Sequence, residues 1–296
     1  MKILVTGATG FIGRHLVPQL VQTGAAVSIL VRENYALGDP LPPELATLRP
    51  QLSVVYADLR NYSLTRRAIQ EAGPEAVLHL AAAGVTDPFL PVETALRHNL
   101  TGTLNLMRAL YEGASEPWPR LVVGRTPGER SAMNVYAASK AAAWTFAQMY
   151  ARTAGWPIYG AMIFQVYGPG QPAATLIPSA LAAARSGADF PMTAGSQQRD
   201  WIHVDDVVQG VFAALAADLP PGTAFDLGTG QTASVAEVVK AIYRLVGRGG
   251  RPLVGALPNR PGEEPIQMAG ADRTQRLIGW RAKIPLAEGL RKLIET

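Results

Sequence analysis

The sequence predicts a doubly wound α/β fold, a parallel sheet with helices on both faces, followed by a smaller C-terminal lobe. Three observations carry that expectation. Near the N-terminus the β-favouring residues Ile3, Leu4 and Val5 run straight into glycines at positions 7, 10 and 13. Short apolar stretches then alternate with helix-spaced ones to about residue 167. Finally, a chain of 296 residues, 48% hydrophobic and 17% charged, can bury the core of one large α/β unit with a lobe appended.

Taken in order, residues 3–5 form a strand and Arg14 opens a helix whose apolar face is Leu16, Val17 and Leu20. Residues 26–31 read as a second strand, 38–50 as a Pro/Gly-rich loop and 53–56 as a third strand. A helix over 62–72 leads to an apolar strand at 76–80 and a small-residue turn at 81–84. There follow a long helix over 91–112, a strand at 120–123, a helix over 136–152 and a strand at 158–166. Beyond Gly170 the rhythm breaks. Helices are expected at 175–186 and 204–217, and residues 224–227 read as a strand returning to the sheet. The amphipathic stretch 234–246 opens with Ser234 and, three residues on, Glu237, the spacing of a capping box. These elements divide into a dinucleotide-binding Rossmann domain at 1–167 and a substrate-binding lobe at 168–296.

Composition narrows the chemistry. The absence of cysteine excludes disulfides, thiolate metal sites and a cysteine nucleophile. Four histidines without ligand spacing argue against a metal centre. No secretion signal or membrane span is read, so a cytoplasmic location is expected. The net charge of +4 comes from scattered residues, which suits an anionic small molecule better than nucleic acid.

The glycine turn has the pattern of a phosphate-binding loop. Gly7 permits the tight turn, Gly10 close approach of a phosphate and Gly13 close packing of helix on strand, so Gly7, Thr9, Gly10, Phe11, Ile12 and Gly13 form the expected cofactor loop. Tyr136 and Lys140 stand one helical turn apart and project from one face. An ammonium beside the phenol, helped by an oxidised nicotinamide, is expected to pull the Tyr136 pKa downward and make it a general acid/base.

Together, Gly7-x-x-Gly10-x-x-Gly13, Asp58 after the third strand, Asn99 in His98-Asn99-Leu100-Thr101-Gly102-Thr103, and Tyr136-Ala-Ala-Ser-Lys140 resemble the extended short-chain dehydrogenase/reductases. Arg199-Asp200-Trp201-Ile202-His203-Val204-Asp205-Asp206 and Arg260-Pro261-Gly262-Glu263 resemble their nucleotide-sugar epimerase, dehydratase and reductase branch. The resemblance implies that Tyr136 is the acid/base and that Lys140 holds the nicotinamide ribose. It places Asp58 and Leu59 at the adenine, Ala81, Ala82 and Ala83 along the cofactor channel, and Asn99 near the active site as a helix-bending or water-holding residue. Arg199 and Arg260 would clamp a diphosphate, a task suited to arginine's planar fork of donors. A homodimer packed through the helices at 91–112 and 136–152 is also implied. His203 is read as a core residue, and Asp205 and Asp206 as capping the following helix.

Four departures from the family pattern sharpen the expectation. The polarising Ser or Thr falls on Thr126, only ten positions before Tyr136, with Ser131 as a second candidate. Either the site is shortened and open, or a loop is absent from the sequence. The acidic residue normally ending the second strand is replaced by Val31 and Arg32, which favours NADP over NAD. Gln165 stands where the family carries a substrate-binding Asn. Pro127 and Gly128 replace the acidic pair of the dehydratases, which disfavours elimination. The expected activity is therefore an NADPH-dependent 4-ketoreductase acting on a nucleoside-diphosphate sugar. An NDP-sugar 4-epimerase resembling UDP-glucose 4-epimerase is the alternative, and a non-catalytic dinucleotide-binding protein a third.

Overall fold

The protein was analysed as a computed structural model that describes residues 1–295. The chain divides into two compact units. One comprises Met1–Met162 with Val211–Phe225, and the other Ile163–Gly210 with the described residues from Asp226 onward.

The first unit is built on a seven-stranded sheet. Its strands are β1 (Lys2–Thr6), β2 (Ala26–Val31), β3 (Leu52–Tyr56), β4 (Ala76–His79), β5 (Arg120–Arg125), β6 (Ile158–Ile163) and β11 (Ala224–Leu227), in the order β11-β6-β5-β4-β1-β2-β3. From β1 the chain pairs outward through β2 to β3, then returns to the other side of β1 with β4, all in parallel register, such as Ile3 with both Val27 and Ala76. That reversal between β1 and β4 opens a crevice at the carboxyl ends of the strands, where a ligand binds such a sheet. Both faces are covered, which is why the strands read as apolar runs rather than alternating ones. Leu4, Val77, Leu121 and Ile158 from the strands pack with Leu106, Met107 and Trp144 from the helices, all 5% exposed or less. Each such side chain contributes roughly 1.5–3 kcal/mol by burial. Trp156 is stacked between Tyr111 and Tyr150, with ring centroids 4.9 and 4.2 Å away.

The long helix expected at 91–112 is regular over Val92–Ala95 and Gly102–Tyr111 but widens to π-type turns over Leu96–Thr101. Such bulges accompany functional sites, and this one contains Asn99. The single strand expected over 158–166 is broken. After β6, Phe164 gives its amide to Leu227, and the separate strand β7 (Gln165–Tyr167), followed by the short strands β8 (Phe190–Met192) and β9 (Gln198–Arg199), pairs in parallel with β10 (Trp201–His203).

In the second unit the helices Leu176–Ser186, Val235–Val246 and Leu286–Glu295 enclose a core of Tyr167, Ile177, Trp201, Val239 and Leu290. The capping box is present: the Glu237 amide donates to Ser234 Oγ at 3.1 Å and the Ser234 amide to Glu237 Oε2 at 2.7 Å. Among the described residues no helix is long and apolar enough to cross a membrane, and no group of three or more His, Cys, Asp or Glu is arranged to hold a metal.

Candidate functional site

The turn after β1 is shaped by its glycines. Gly7 has φ +73°, and a Cβ on it would lie 2.5 Å from the Ala81 amide nitrogen. A Cβ on Gly13 would lie 2.5 Å from the Ala8 carbonyl oxygen. Gly10 donates to the Gly7 carbonyl at 3.0 Å and is the N-cap of the helix Phe11–Gln22. Among the described residues no side chain caps that helix and no acidic residue enters its first turn, so its leading N–H groups and positive dipole end are left uncompensated next to Thr9. A bare backbone cradle with open donors fits the pyrophosphate of a dinucleotide.

At the ends of β2 and β3, Arg32 is exposed and Asp58 is half-buried. The Asp58 carboxylate accepts the Arg60 amide at 2.9 Å and Arg60 Nε at 2.8 Å, and this pairing holds its pKa below the usual carboxylate value. The neighbouring Leu59 carbonyl accepts Asn105 Nδ2 at 2.8 Å. His98 is pushed down by partial burial and by the positive charges of Arg60, Arg32 and Arg97, with Asp58 opposing.

Asn99 ties the loop after β4 to the helix Val135–Ala154. Its Oδ1 accepts the Ala83 amide at 2.8 Å, and its Nδ2 donates to the Ala83 carbonyl at 2.8 Å and to Ser139 Oγ at 2.9 Å. Ser139 in turn donates to the Tyr136 carbonyl at 2.7 Å. Ala81, Ala82 and Ala83 are partly exposed along this loop. Beneath it, buried His79 bridges two threonines. Thr103 Oγ1 donates to the Asn99 carbonyl at 2.7 Å, so it accepts from His79 Nε2 at 2.9 Å, and His79 Nδ1 then accepts from Thr6 Oγ1 at 2.7 Å. Burial, with the Lys140 charge opposing a second cation, lowers the His79 pKa to about 3.

Tyr136 and Lys140 share one face of the helix Val135–Ala154, with Lys140 fully buried at 4% exposure. Burial brings the Lys140 pKa down to about 8, Glu129 acting to raise it and Arg125 to lower it. The downward shift expected for Tyr136 invokes the charge of an oxidised nicotinamide, and in the protein alone the shift runs the other way. Burial first, and the Glu129 carboxylate second, push its phenol well above the ordinary value. The spacing of Tyr and Lys is legible in the sequence, but the burial that sets the sign, and the carboxylate that adds to it, depend on residues outside the helix.

The short stretch from Thr126 to Tyr136 is filled by a 3₁₀ turn, Pro127–Arg130. Thr126 is its N-cap and forms a capping box with Glu129, whose Oε1 accepts the Thr126 amide at 3.0 Å. Ser131 is exposed on the far side of this turn. Arg125 and Glu129 were not singled out by the sequence. Only the Thr-x-x-Glu capping spacing pointed to Glu129.

The second unit holds the other expected residues. Arg199 is 4% exposed, and its guanidinium donates to Glu263 Oε1 at 3.0 Å and to the carbonyls of Gln198 and Glu264, both at 2.9 Å. Burial lowers its pKa. The segment carrying Arg260 is thus joined to Arg199 through Glu263, while Arg260 and Gln165 themselves are exposed. Asp200, fully buried, accepts the amides of Thr229, Gly230 and Ala269 and fixes the strand end beside Arg199. The expected cap, Asp206, lies in the first turn of the helix Val204–Ala216 but directs its carboxylate to the amides of Lys283 and Ile284, at 3.0 and 2.8 Å.

Residues 3–228 match the family described as "NAD dependent epimerase/dehydratase family". Over its whole length the chain is 30% identical to a UDP-glucose 4-epimerase of Mycolicibacterium smegmatis, covering 98% of that protein. It is 28% identical to a probable dTDP-glucose 4,6-dehydratase of Sinorhizobium fredii, covering 92%. Among solved structures, the UDP-glucose 4-epimerase of Thermus thermophilus in complex with NAD is similar with a TM-score of 0.81 and 28% identity, over 100% of this chain and 98% of that one.

Proposed function

We propose, for a chain that belongs to the NAD dependent epimerase/dehydratase family, that it transfers hydride between a nicotinamide cofactor and C4 of a nucleoside-diphosphate sugar, with reduction of a 4-keto sugar as the net reaction. The observation that carries this reading is Arg32, exposed at the end of β2 where a carboxylate would repel a 2′-phosphate, which favours NADPH, the cofactor of net reductions. Tyr136 is the proton donor to the sugar oxygen as it gains electrons.

The nicotinamide, when bound, supplies the hydride. In this reading the Gly7, Gly10 and Gly13 turn holds the pyrophosphate. Lys140 orients the ribose and Tyr136 delivers the proton to the sugar oxygen. Thr126 Oγ1 keeps its own O–H free to donate to that oxygen even while accepting within the capping box. Arg260 and Gln165, both exposed, together with Arg199, take the diphosphate. NADP is the favoured cofactor, supported by Arg32 and by the positive potential that Arg32, Arg60 and Arg97 impose on His98. A homodimer is part of the same proposal, since Val92, Leu96 and Phe146 are 51%, 41% and 42% exposed on the two helices expected to pack.

The test is a spectrophotometric assay with a panel of 4-keto nucleotide sugars. Stoichiometric NADPH oxidation, abolished by Tyr136→Phe, is expected. The names of the similar proteins favour a second reading, 4-epimerisation, which would appear as UDP-glucose and UDP-galactose interconverting without net cofactor turnover. Cofactor binding with neither reaction would refute both. An Arg32→Glu variant is expected to weaken NADPH binding at least tenfold while leaving NADH binding little changed.

A further inference from the structure

Beside the expected acid/base sits a buried ion pair that the hydride-transfer scheme does not use. Arg125, the last residue of β5, donates its Nε to Glu129 Oε2 at 2.8 Å, with side chains 11% and 1% exposed. The remaining Glu129 oxygen accepts the Thr126 amide, so the carboxylate is fixed from two sides. Arg125 is fixed too. Its guanidinium lies over the Trp144 ring, 4.5 Å from the centroid. On β6, Gly160 leaves the room they need, because a Cβ there would come within 2.7 Å of Trp144 and 2.8 Å of Arg125 Cδ. Burying an ion pair is expensive, and replacement by apolar residues is often neutral or stabilising. Glycine, tryptophan, arginine and glutamate arranged around one buried charge are thus poorly explained by stability alone.

Position supplies the explanation. Trp144, Lys140 and Tyr136 follow one another at four-residue spacing on one helix face. The turn bearing Glu129 packs on the start of that helix, where a Cβ on Gly128 would meet Ala137 Cβ at 3.2 Å. We propose that Glu129, locked by Arg125, is a positioning residue for the Tyr136–Lys140 pair, fixing a buried carboxylate on the turn that packs against the start of their helix, where it opposes loss of the Tyr136 proton.

The charged and titratable groups around the pair are Arg125 from β5, Glu129 from the 3₁₀ turn, His79 from β4 and the exposed Asp87 from the loop whose Pro88 carbonyl accepts the Tyr136 amide at 3.1 Å, while the bulged helix contributes the uncharged Asn99 through Ser139. His79 stays neutral above its lowered pKa and Asp87 faces solvent, so Glu129 is the buried anion among them. The electrostatics agree: Glu129 acts to raise both Tyr136 and Lys140, and Arg125 to lower Lys140.

The proposal rests on Tyr136 being the acid/base, but its test needs no substrate. Phenolate absorbance is followed against pH in the full-length protein without cofactor, and the Tyr136 signal is isolated by subtracting the same titration of Tyr136→Phe made in each background. Glu129→Gln is expected to increase the Tyr136 phenolate fraction at least tenfold at a given alkaline pH. Glu129→Asp, which retains the charge, should restore most of the wild-type curve. An unchanged titration in folded Glu129→Gln overturns the proposal. So does an equal shift in Glu129→Asp, which would assign the effect to packing. Should Glu129→Gln not fold, the Arg125→Met/Glu129→Gln double variant, which leaves no unpaired guanidinium, is read in its place, with the same increase expected and an unchanged curve overturning the proposal. Failure of the sugar-reduction assay would leave this titration unaffected, so the two readings fail separately.

Discussion

His79 makes the stability of the first unit depend on mild acid. Its ring is held neutral between Thr6 and Thr103, with a folded pKa of about 3 against 6.5 for a free imidazole. The group's folded pKa is depressed, so its contribution is fully present above pH 6.5 and is lost progressively as pH falls from 6.5 toward 3. At pH 5 the unfolded chain holds this proton almost completely and the folded chain does not. Relative to pH 7 that difference is worth about 2 kcal/mol, and because the ring is fully buried no solvent screening reduces it. The perturbation is His79→Gln, which keeps a donor and an acceptor but does not titrate. Urea unfolding of both proteins at pH 7 and pH 5 isolates the effect, since the other titrating groups cancel in the comparison. The wild type should lose about 2 kcal/mol more than the variant between the two pH values. Equal losses would refute the assignment of a buried, neutral imidazole.

Three further outcomes follow from packing at named positions. Gly13→Ala places a Cβ against the Ala8 carbonyl and should abolish dinucleotide binding by calorimetry, with a loss of about 1–3 kcal/mol in stability. Lys140→Met should be inactive yet more stable at pH 7 by roughly 1–3 kcal/mol, since a folded pKa of about 8 against 10.5 makes the buried ammonium costly. That gap should shrink as pH rises from 8 to 10.5, and a constant gap would contradict the lowered pKa. In the second unit, Gly289→Ala would drive a methyl onto the Tyr167 hydroxyl, which is buried and has no hydrogen-bond partner among the described residues. Thermal melts should show a loss of about 1–3 kcal/mol, partly rescued by Tyr167→Phe, a change that alone costs little because it removes an orphaned hydroxyl.

The uneven legibility of the fold has a physical origin. Parallel strands covered on both faces must be apolar, so β1, β2, β4 and β6 stood out from periodicity and composition. The break at Phe164 did not, because β7 follows β6 after a single residue and is separated only by finding a different partner, β10. Asn99 was placed near the site, but its bonds to Ala83 and Ser139 depend on widened helical turns that no residue pattern announces. Asp206 shows a similar limit, since its position in a first helical turn was visible while its partners at 283 and 284 were nearly eighty residues away. Tyr136 and Lys140 extend the point to chemistry. A four-residue spacing dictates that two side chains share a helix face, whatever else the chain does. The direction in which they titrate is set by burial, with Glu129 adding to the upward shift of Tyr136 and opposing the downward shift of Lys140, and Glu129 is placed there by the tight turn that Pro127 and Gly128 fold after β5. The short connection between Thr126 and Tyr136 is therefore the element that carries the charge the helix lacks.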